Sequence, residues 1–418
     1  MKWLRLPTHT GYDLMLLSVV LGLIGIGLAM VYSASGIKAL DALDDPRYFL
    51  IQQSVWAGIG LVAMLVVARI DYHRYRHFAL PGLAIAILLL GVVLVPGVGT
   101  RVGGASRWLR VSTFVGVQPA QIAKLAVVIY LAFWLAAKRE RIGHWSVTVP
   151  FVALIALVAA LVVGEPDLGT AIVLVATGLA MYFVAGARIA EFAALAGLTT
   201  ICVAAVAVVQ PYRLARLTTF FDPWSDPQGA GFQTIQSIYG LALGGPFGEG
   251  LGAGREKFGF LPAPYTDSIF AVLGDELGLL GTLTVVLLFL VIAFKGIRIA
   301  LAAPDQTGAL LATGVTVWLV FQAWVNMAVV AALLPMTGIT LPFISYGGSS
   351  ICVGLVAVGI LLNVGRQSVA RADGRASVQG PARGRGDRGT RQPPARGRGG
   401  AHGADGRRAP VHRWTSRS

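Results

Sequence analysis

Apolar stretches alternate with short polar joints along most of this chain, and the stretches are long. A helix rises 1.5 Å per residue, so about 20 apolar residues cross roughly 30 Å of hydrocarbon. Runs of that order cover Leu14–Tyr32, Phe49–Ala68, Phe78–Val95, Pro119–Ala137, Val147–Val163, Leu168–Val184, Ala190–Val209, Ser268–Phe294, Gly308–Leu334 and Ser349–Val364. The pattern predicts an all-α polytopic membrane protein of about ten transmembrane helices, with a large outer loop between helices seven and eight. The first run lacks a small-residue cleavage site and is long enough to remain as a helix. The longest polar interruption before the C-terminal tail is 231–281, where Gly244, Gly245, Pro246, Gly248, Gly250, Gly252, Gly254, Pro262 and Pro264 argue against a regular helix.

Composition agrees with this reading: 56% of the 418 residues are hydrophobic and 13% charged, against about 25% charged in a soluble domain. The two cysteines, Cys202 and Cys352, lie in apolar runs and read as small hydrophobes rather than a metal or disulfide pair. The formal charge of +14 is concentrated at the end of the chain. From Arg366 to Ser418 there are 13 Arg against Asp373, Asp387 and Asp405, a net of +10. The sequence therefore divides into a transmembrane domain, 1–366, and an Arg/Gly-rich tail, 367–418, with too few apolar residues to form a core and expected to be disordered. A polybasic segment directly after a span suits anionic membrane lipid better than nucleic acid.

With ten spans, Lys2, Arg5, Arg69–Arg76, Lys138–Arg141, Arg188, Lys295–Arg298 and the tail fall on one side, so the positive-inside rule puts both termini in the cytoplasm. Arg101, Arg107, Arg110, Arg213, Arg216, Arg255 and Lys257 fall on the outer side against that bias. They suggest an anionic partner at the outer leaflet; the plainer alternative is solvated loop charge paired with Asp222, Asp226, Glu249 and Glu256.

Four outer segments carry candidate chemistry. In GTRVGGASRWLRVSTFVGVQPAQIAKL, Trp108 suits the headgroup level and Arg107 a phosphate, the alternative being an ordinary aromatic-belt turn. Lys124 lies about 7.5 Å along the helix that starts at Pro119. It can snorkel to the surface, or serve as an intramembrane functional cation. GEPDLGTA (Gly164–Ala171) reads as a helix cap at Asp167 or as a cation site. The run from Leu334 to Ser350, LPMTGITLPFISYGGSS, is irregular yet apolar, which at membrane depth is tolerated only inside protein or beside a watery cavity. In PAPYTDSIF, Asp267 starts the eighth span and reads as a general base, with helix capping as the structural alternative.

VYSAS (Val31–Ser35), GGASRWL (Gly103–Leu109), QPAQIAKL (Gln118–Leu125), PDLGT (Pro166–Thr170), GGPFGEGLG followed by YTDSIFAVLGDELG, and TGITLPFISYGGSS (Thr337–Ser350) occur in that order. Over roughly residues 11–366 this resembles the SEDS family (shape, elongation, division and sporulation), and FQTIQSIYGL with VYSAS is more similar to its division-type FtsW branch than to RodA. Gln121, Tyr265 and Ser268 depart from the Glu, His and Phe usual in the family. The resemblance implies an inverting peptidoglycan glycosyltransferase that polymerises lipid II, an undecaprenyl-diphosphate-linked disaccharide-pentapeptide, outside the cytoplasmic membrane. It implies Asp267 as catalytic base, substrate contacts at Arg107, Trp108, Lys124, Arg255, Lys257 and Ser349, a divalent cation (Mg or Mn) as a candidate cofactor, and a single-pass class B penicillin-binding transpeptidase as partner. A lipid II flippase and a non-catalytic transpeptidase scaffold are the competing readings.

Overall fold

The computed structural model describes residues 13–102, 105–110, 116–254, 261, 262 and 264–378. Its helices are α1 (Leu14–Leu43), α2 (Tyr48–Arg69), α3 (Arg76–Val93), α4 (Pro119–Ala137), α5 (Trp145–Gly164), α6 (Leu168–Ala185), α7 (Ile189–Val209), α8 (Pro211–Phe221), α9 (Phe232–Leu243), α10 (Ile269–Ala302), α11 (Gln306–Val330) and α12 (Gly348–Val378). Ten of these are long and apolar enough to cross a membrane, and they coincide with the ten runs expected from the sequence. Start signals are ordinary caps: Asp13, Asp167 and Asp305 accept backbone N–H bonds from Leu16, Thr170 and Gly308, and Pro119 opens α4.

Burial sorts the spans. α11 is largely enclosed and packs on α10, α6 and α4, whereas α7 has no buried residue and turns its apolar surface outward, as a lipid-facing helix does. The segment after α11 has no regular structure as far as Gly347, yet Ile339, Leu341, Phe343 and Ile344 are buried in the core. It thus meets the condition under which irregular backbone is tolerated at membrane depth.

Three features differ from the sequence expectation. α1 continues beyond Tyr32 to Leu43 and α12 beyond 366 to Val378, because nothing in either stretch breaks a helix and hydropathy marks only where lipid ends. Residues 232–243 form α9, ahead of the glycine run that starts at Gly244. The joint between α3 and α4 forms a small antiparallel sheet in the order β1 (Thr100–Val102), β2 (Ala105–Arg110), β3 (Gly116–Val117).

The glycine-rich segment after α9 has a definite structural task. α10 breaks at Gly278, whose backbone is non-helical (φ 64°, ψ −160°), and the break frees backbone groups inside the bundle. Residues 245–250 take them up: Leu279 and Leu280 donate to the carbonyls of Gly245 and Pro246 at 2.8 and 3.2 Å, while Glu249 and Gly250 donate to those of Asp275 and Glu276 at 2.9 and 3.0 Å. Such close backbone docking leaves no room for a side chain at Gly248, where an added Cβ would fall 2.1 Å from the Glu276 carbonyl oxygen.

Candidate active site

Asp267 stands one residue before the cap of α10, at the end of the bundle that also carries the β-sheet, the α5–α6 turn, α8 and α9. Its Oδ1 accepts from the Thr266 hydroxyl at 3.1 Å and its Oδ2 from the Gln233 amide at 3.4 Å. Asn326 on α11 donates to the backbone carbonyls of Asp267 and Ile339 at 2.8 and 2.7 Å. One buried amide therefore holds the carboxylate's backbone against the irregular 331–347 segment. Although the residue keeps some accessible surface, burial of its carboxyl pushes the pKa above the usual carboxylate range, opposed by the bonds from Thr266, the backbone and Gln233 and by the charge of Arg216. An ionisable oxygen poised in this way can accept a proton from a bound hydroxyl.

Two guanidinium groups flank Asp267. Arg107, on β2, is pinned to the α5–α6 turn: Nε donates to the Glu165 carbonyl at 3.1 Å and Nη2 to that of Pro166. Its remaining nitrogen, Nη1, and Asp267 Oδ2 lie within 4 Å of one point, the position a Cβ would occupy on Gly338. Gly338 has φ +71°, so a glycine serves both the backbone and the opening between cation and carboxylate. Arg216, on α8, donates to the Met336 carbonyl at 3.1 Å and is a cation whose field reaches Asp267.

Lys124 is not a snorkelling residue. It is 2% exposed, its ammonium donates to Gln322 Oε1 at 2.6 Å and lies 4.9 Å from the centre of the Trp318 ring, and it feels the negative charge of Asp167. Gln322 in turn donates to the Thr340 carbonyl at 2.8 Å. Burial disfavours the charge of an ammonium, and the Gln322 bond, the Trp318 face and the Asp167 charge offset that cost in part. Ser349 is also buried, and its hydroxyl accepts the Gln118 backbone N–H at 3.3 Å, tying the start of α12 to that of α4. Trp108, next to Arg107 on β2, packs its ring against Gly116. Arg255 and Lys257 lie outside the described residues.

Glu165 was not singled out as a site residue from the sequence. It is fully buried, and neither carboxylate oxygen has a hydrogen-bond partner among the described residues. Burial and the neighbouring Asp167 charge raise its pKa to about 8, with Arg107 opposing. Gln233, Gln322, Asn326 and Gly338 were missed as well. Amides and a glycine have no charge to mark them, and only the fold brings them to the carboxylate.

Several comparisons bear on this geometry. The profile of the FtsW/RodA/SpoVE family, described as a cell cycle protein, matches residues 14–370. Stage V sporulation protein E of Bacillus subtilis is 44% identical over 360 residues, spanning 86% of this chain and 98% of that protein. The probable peptidoglycan glycosyltransferase FtsW of Trichlorobacter lovleyi is 42% identical over 354 residues, or 84% of this chain and 93% of that one. Among solved structures, a peptidoglycan synthase complex described as coordinating polymerization and crosslinking contains a chain that matches with a TM-score of 0.69 at 30% identity, covering 85% of this chain and 98% of its own. The Thermus thermophilus Rod shape determining protein RodA matches with a TM-score of 0.63 at 27% identity, covering 87% and 99%.

Proposed function

Because the chain belongs to the FtsW/RodA/SpoVE family of SEDS proteins, with FtsW and SpoVE members among its relatives, we propose that it is a peptidoglycan glycosyltransferase acting on a lipid-linked, diphosphate-activated disaccharide, lipid II. The observation that carries the assignment is the convergence of Asp267, Arg107, Arg216 and the buried Lys124 at one end of a ten-span bundle.

The chemistry follows from those groups. Asp267 takes the proton of the attacking sugar hydroxyl as its oxygen bonds to the anomeric carbon of the donor. The bond from that carbon to the diphosphate oxygen breaks, and the electron pair leaves with the diphosphate. Attack opposite an α-linked leaving group gives a β-linked glycan. Arg107 is fixed by two carbonyls before substrate arrives and Lys124 is buried, so both act on the developing negative charge with little reorganisation. Trp108 and Ser349 support this wall of the site, Trp108 through β3 and Ser349 through the start of α4. Arg255 and Lys257 supply further outer cations in the same reading.

A divalent cation, Mg or Mn, finds no fitting set of ligands among the described residues, which hold no group of three or more His, Cys, Asp or Glu side chains placed to bind one; Asp167 is occupied by Thr170 and Gln118, and Glu165 beside it favours its protonated form at neutral pH.

The reading includes a multi-pass location in the cytoplasmic membrane with both termini cytoplasmic, and a class B penicillin-binding transpeptidase as partner, in keeping with the complex that the chain resembles. The test is polymerisation of purified lipid II with and without such a transpeptidase. Asp267→Asn should bind lipid II and the partner while losing about 10²-fold or more in polymer formation. Near-normal polymer from that variant would falsify the role of Asp267 and favour a transporter or scaffold.

A further inference from the structure

An open cavity of 360 Å³ is lined by Ala215, Arg216 and Thr219 of α8, Gln233 of α9, Pro262 and Met336. Its volume is at the lower end of the range of small-molecule pockets. Gln233 forms part of its wall and also bonds Asp267 Oδ2 and, at 3.0 Å, the Ser268 hydroxyl, so the cavity and the carboxylate share one residue. At Gly338 the same carboxylate oxygen and Arg107 Nη1 lie within 4 Å of one point. Asp267 Oδ2 is thus linked through Gln233 to the Arg216 cavity and through the space at Gly338 to Arg107.

We propose that the Arg216–Gln233 cavity is the subsite for the acceptor, the lipid-linked sugar diphosphate whose hydroxyl attacks, and that the Arg107–Lys124 side takes the donor. The inference rests on the polymerase reading above. Joining two lipid-linked sugars brings two diphosphates to one base, and only one of them changes charge during the reaction. The leaving diphosphate gains charge and is best stabilised by preorganised groups: Arg107, half-buried, is held by two carbonyls, and Lys124 is buried. The acceptor's diphosphate keeps its charge throughout, so a solvent-open site with one guanidinium is sufficient for it. A sugar in the cavity reaches Asp267 along Gln233, where its hydroxyl proton passes to the carboxylate. Its oxygen then bonds to the donor's anomeric carbon, and the donor's carbon–oxygen bond breaks toward the Arg107 side.

A single-transfer assay separates the two subsites. The donor is a lipid II analogue whose acceptor hydroxyl is capped, so that it can only donate. The acceptor is an analogue with a phosphonate at the glycosidic position, so that it can only accept. Arg216→Gln should raise KM for the acceptor-only analogue about tenfold, the usual scale of one charge-assisted hydrogen bond, and change KM for the donor-only analogue less than twofold. Ala215→Phe, which fills the cavity without altering charge, should do the same, and serves if Arg216→Gln fails to fold. Equal shifts in both constants, or a shift confined to the donor, would overturn the assignment. No shift in either would leave Arg216 to bulk anionic lipid and overturn it too. Wild-type protein that makes no polymer from ordinary lipid II would instead refute the polymerase reading, so the two failures are distinguishable.

Discussion

At the scale of single residues, the site depends on keeping a carboxylate ionised where its surroundings disfavour the charge. Asp267 has a raised pKa because it is buried, and only its ionised form accepts a proton. Polymerisation should therefore fall with decreasing pH at values above the usual carboxylate range of about 4, as read from the acid limb of the pH–rate profile. Stability moves the other way. The folded state binds the Asp267 proton more tightly than the unfolded chain, so this residue's contribution is most favourable below the unfolded pKa and is lost as pH rises through the folded one. Asp267→Asn should consequently melt no lower than wild type at neutral pH and gain nothing in acid, although it loses activity. A variant that melts lower at neutral pH would mean that the carboxylate is held chiefly as a structural acceptor. Arg107 and Arg216 were legible in the sequence as outer cations placed against the topological bias, Asp267 as a carboxylate at the start of a span and Lys124 as an intramembrane cation, whereas Glu165 was not. The amides that orient them were not, because Gln233, Gln322 and Asn326 acquire meaning only from the carbonyls and carboxylates they meet after folding.

At the scale of elements, the glycine-rich segment after α9 and the break in α10 form one unit. Hydropathy located α10 but could not reveal the break at Gly278, since a strong apolar run on both sides masks a single non-helical residue. The same run of glycines was legible as irregular structure, yet its partner was not, because the hydrogen bonds it supplies join positions far apart in the chain. Gly248 tests the pairing: with φ +79° and the Glu276 carbonyl 2.1 Å from an added Cβ, it has neither the backbone freedom nor the space for a side chain. Gly248→Ala should lower both melting temperature and polymer yield, by more than the roughly 1–2 kcal/mol expected for left-handed strain alone. Gly186→Ala, at φ +122° with open space around it, carries only that strain and provides the comparison. Equal losses in the two variants would show that the docking of residues 245–250 onto α10 contributes little.

At the scale of the whole molecule, the two ends of the bundle are chemically distinct. One end carries Arg107, Glu165, Asp167, Arg216 and Asp267. The other joins the ends of α2, α10 and α12: His73 bridges Asp71 and Asp305 at 2.8 and 2.7 Å, and Asn363 donates to the carbonyls of Ala68 and Ile70. Because these contacts lie before residue 379, removal of 380–418 should leave melting temperature and lipid II polymerisation close to wild type; loss of both would contradict this. Orientation follows from the cations. Arg69, Arg74, Arg76, Lys138, Arg139, Arg141, Arg188, Lys295, Arg298 and Arg366 belong to the His73 end, and a loop excess of Lys and Arg marks the cytoplasmic side. In the proposed orientation the candidate active site faces outward, where a lipid-linked glycan precursor would be polymerised. Gln228, on the cavity rim, and Glu140, between α4 and α5, are both exposed and lie at opposite ends. In a protein whose two cysteines are replaced by Ala, an impermeant thiol reagent applied to intact cells should label Gln228→Cys and leave Glu140→Cys unlabelled until the membrane is opened. Labelling of Glu140→Cys alone would invert the topology and place the base on the cytoplasmic side, where polymerisation at the outer face could not be its role.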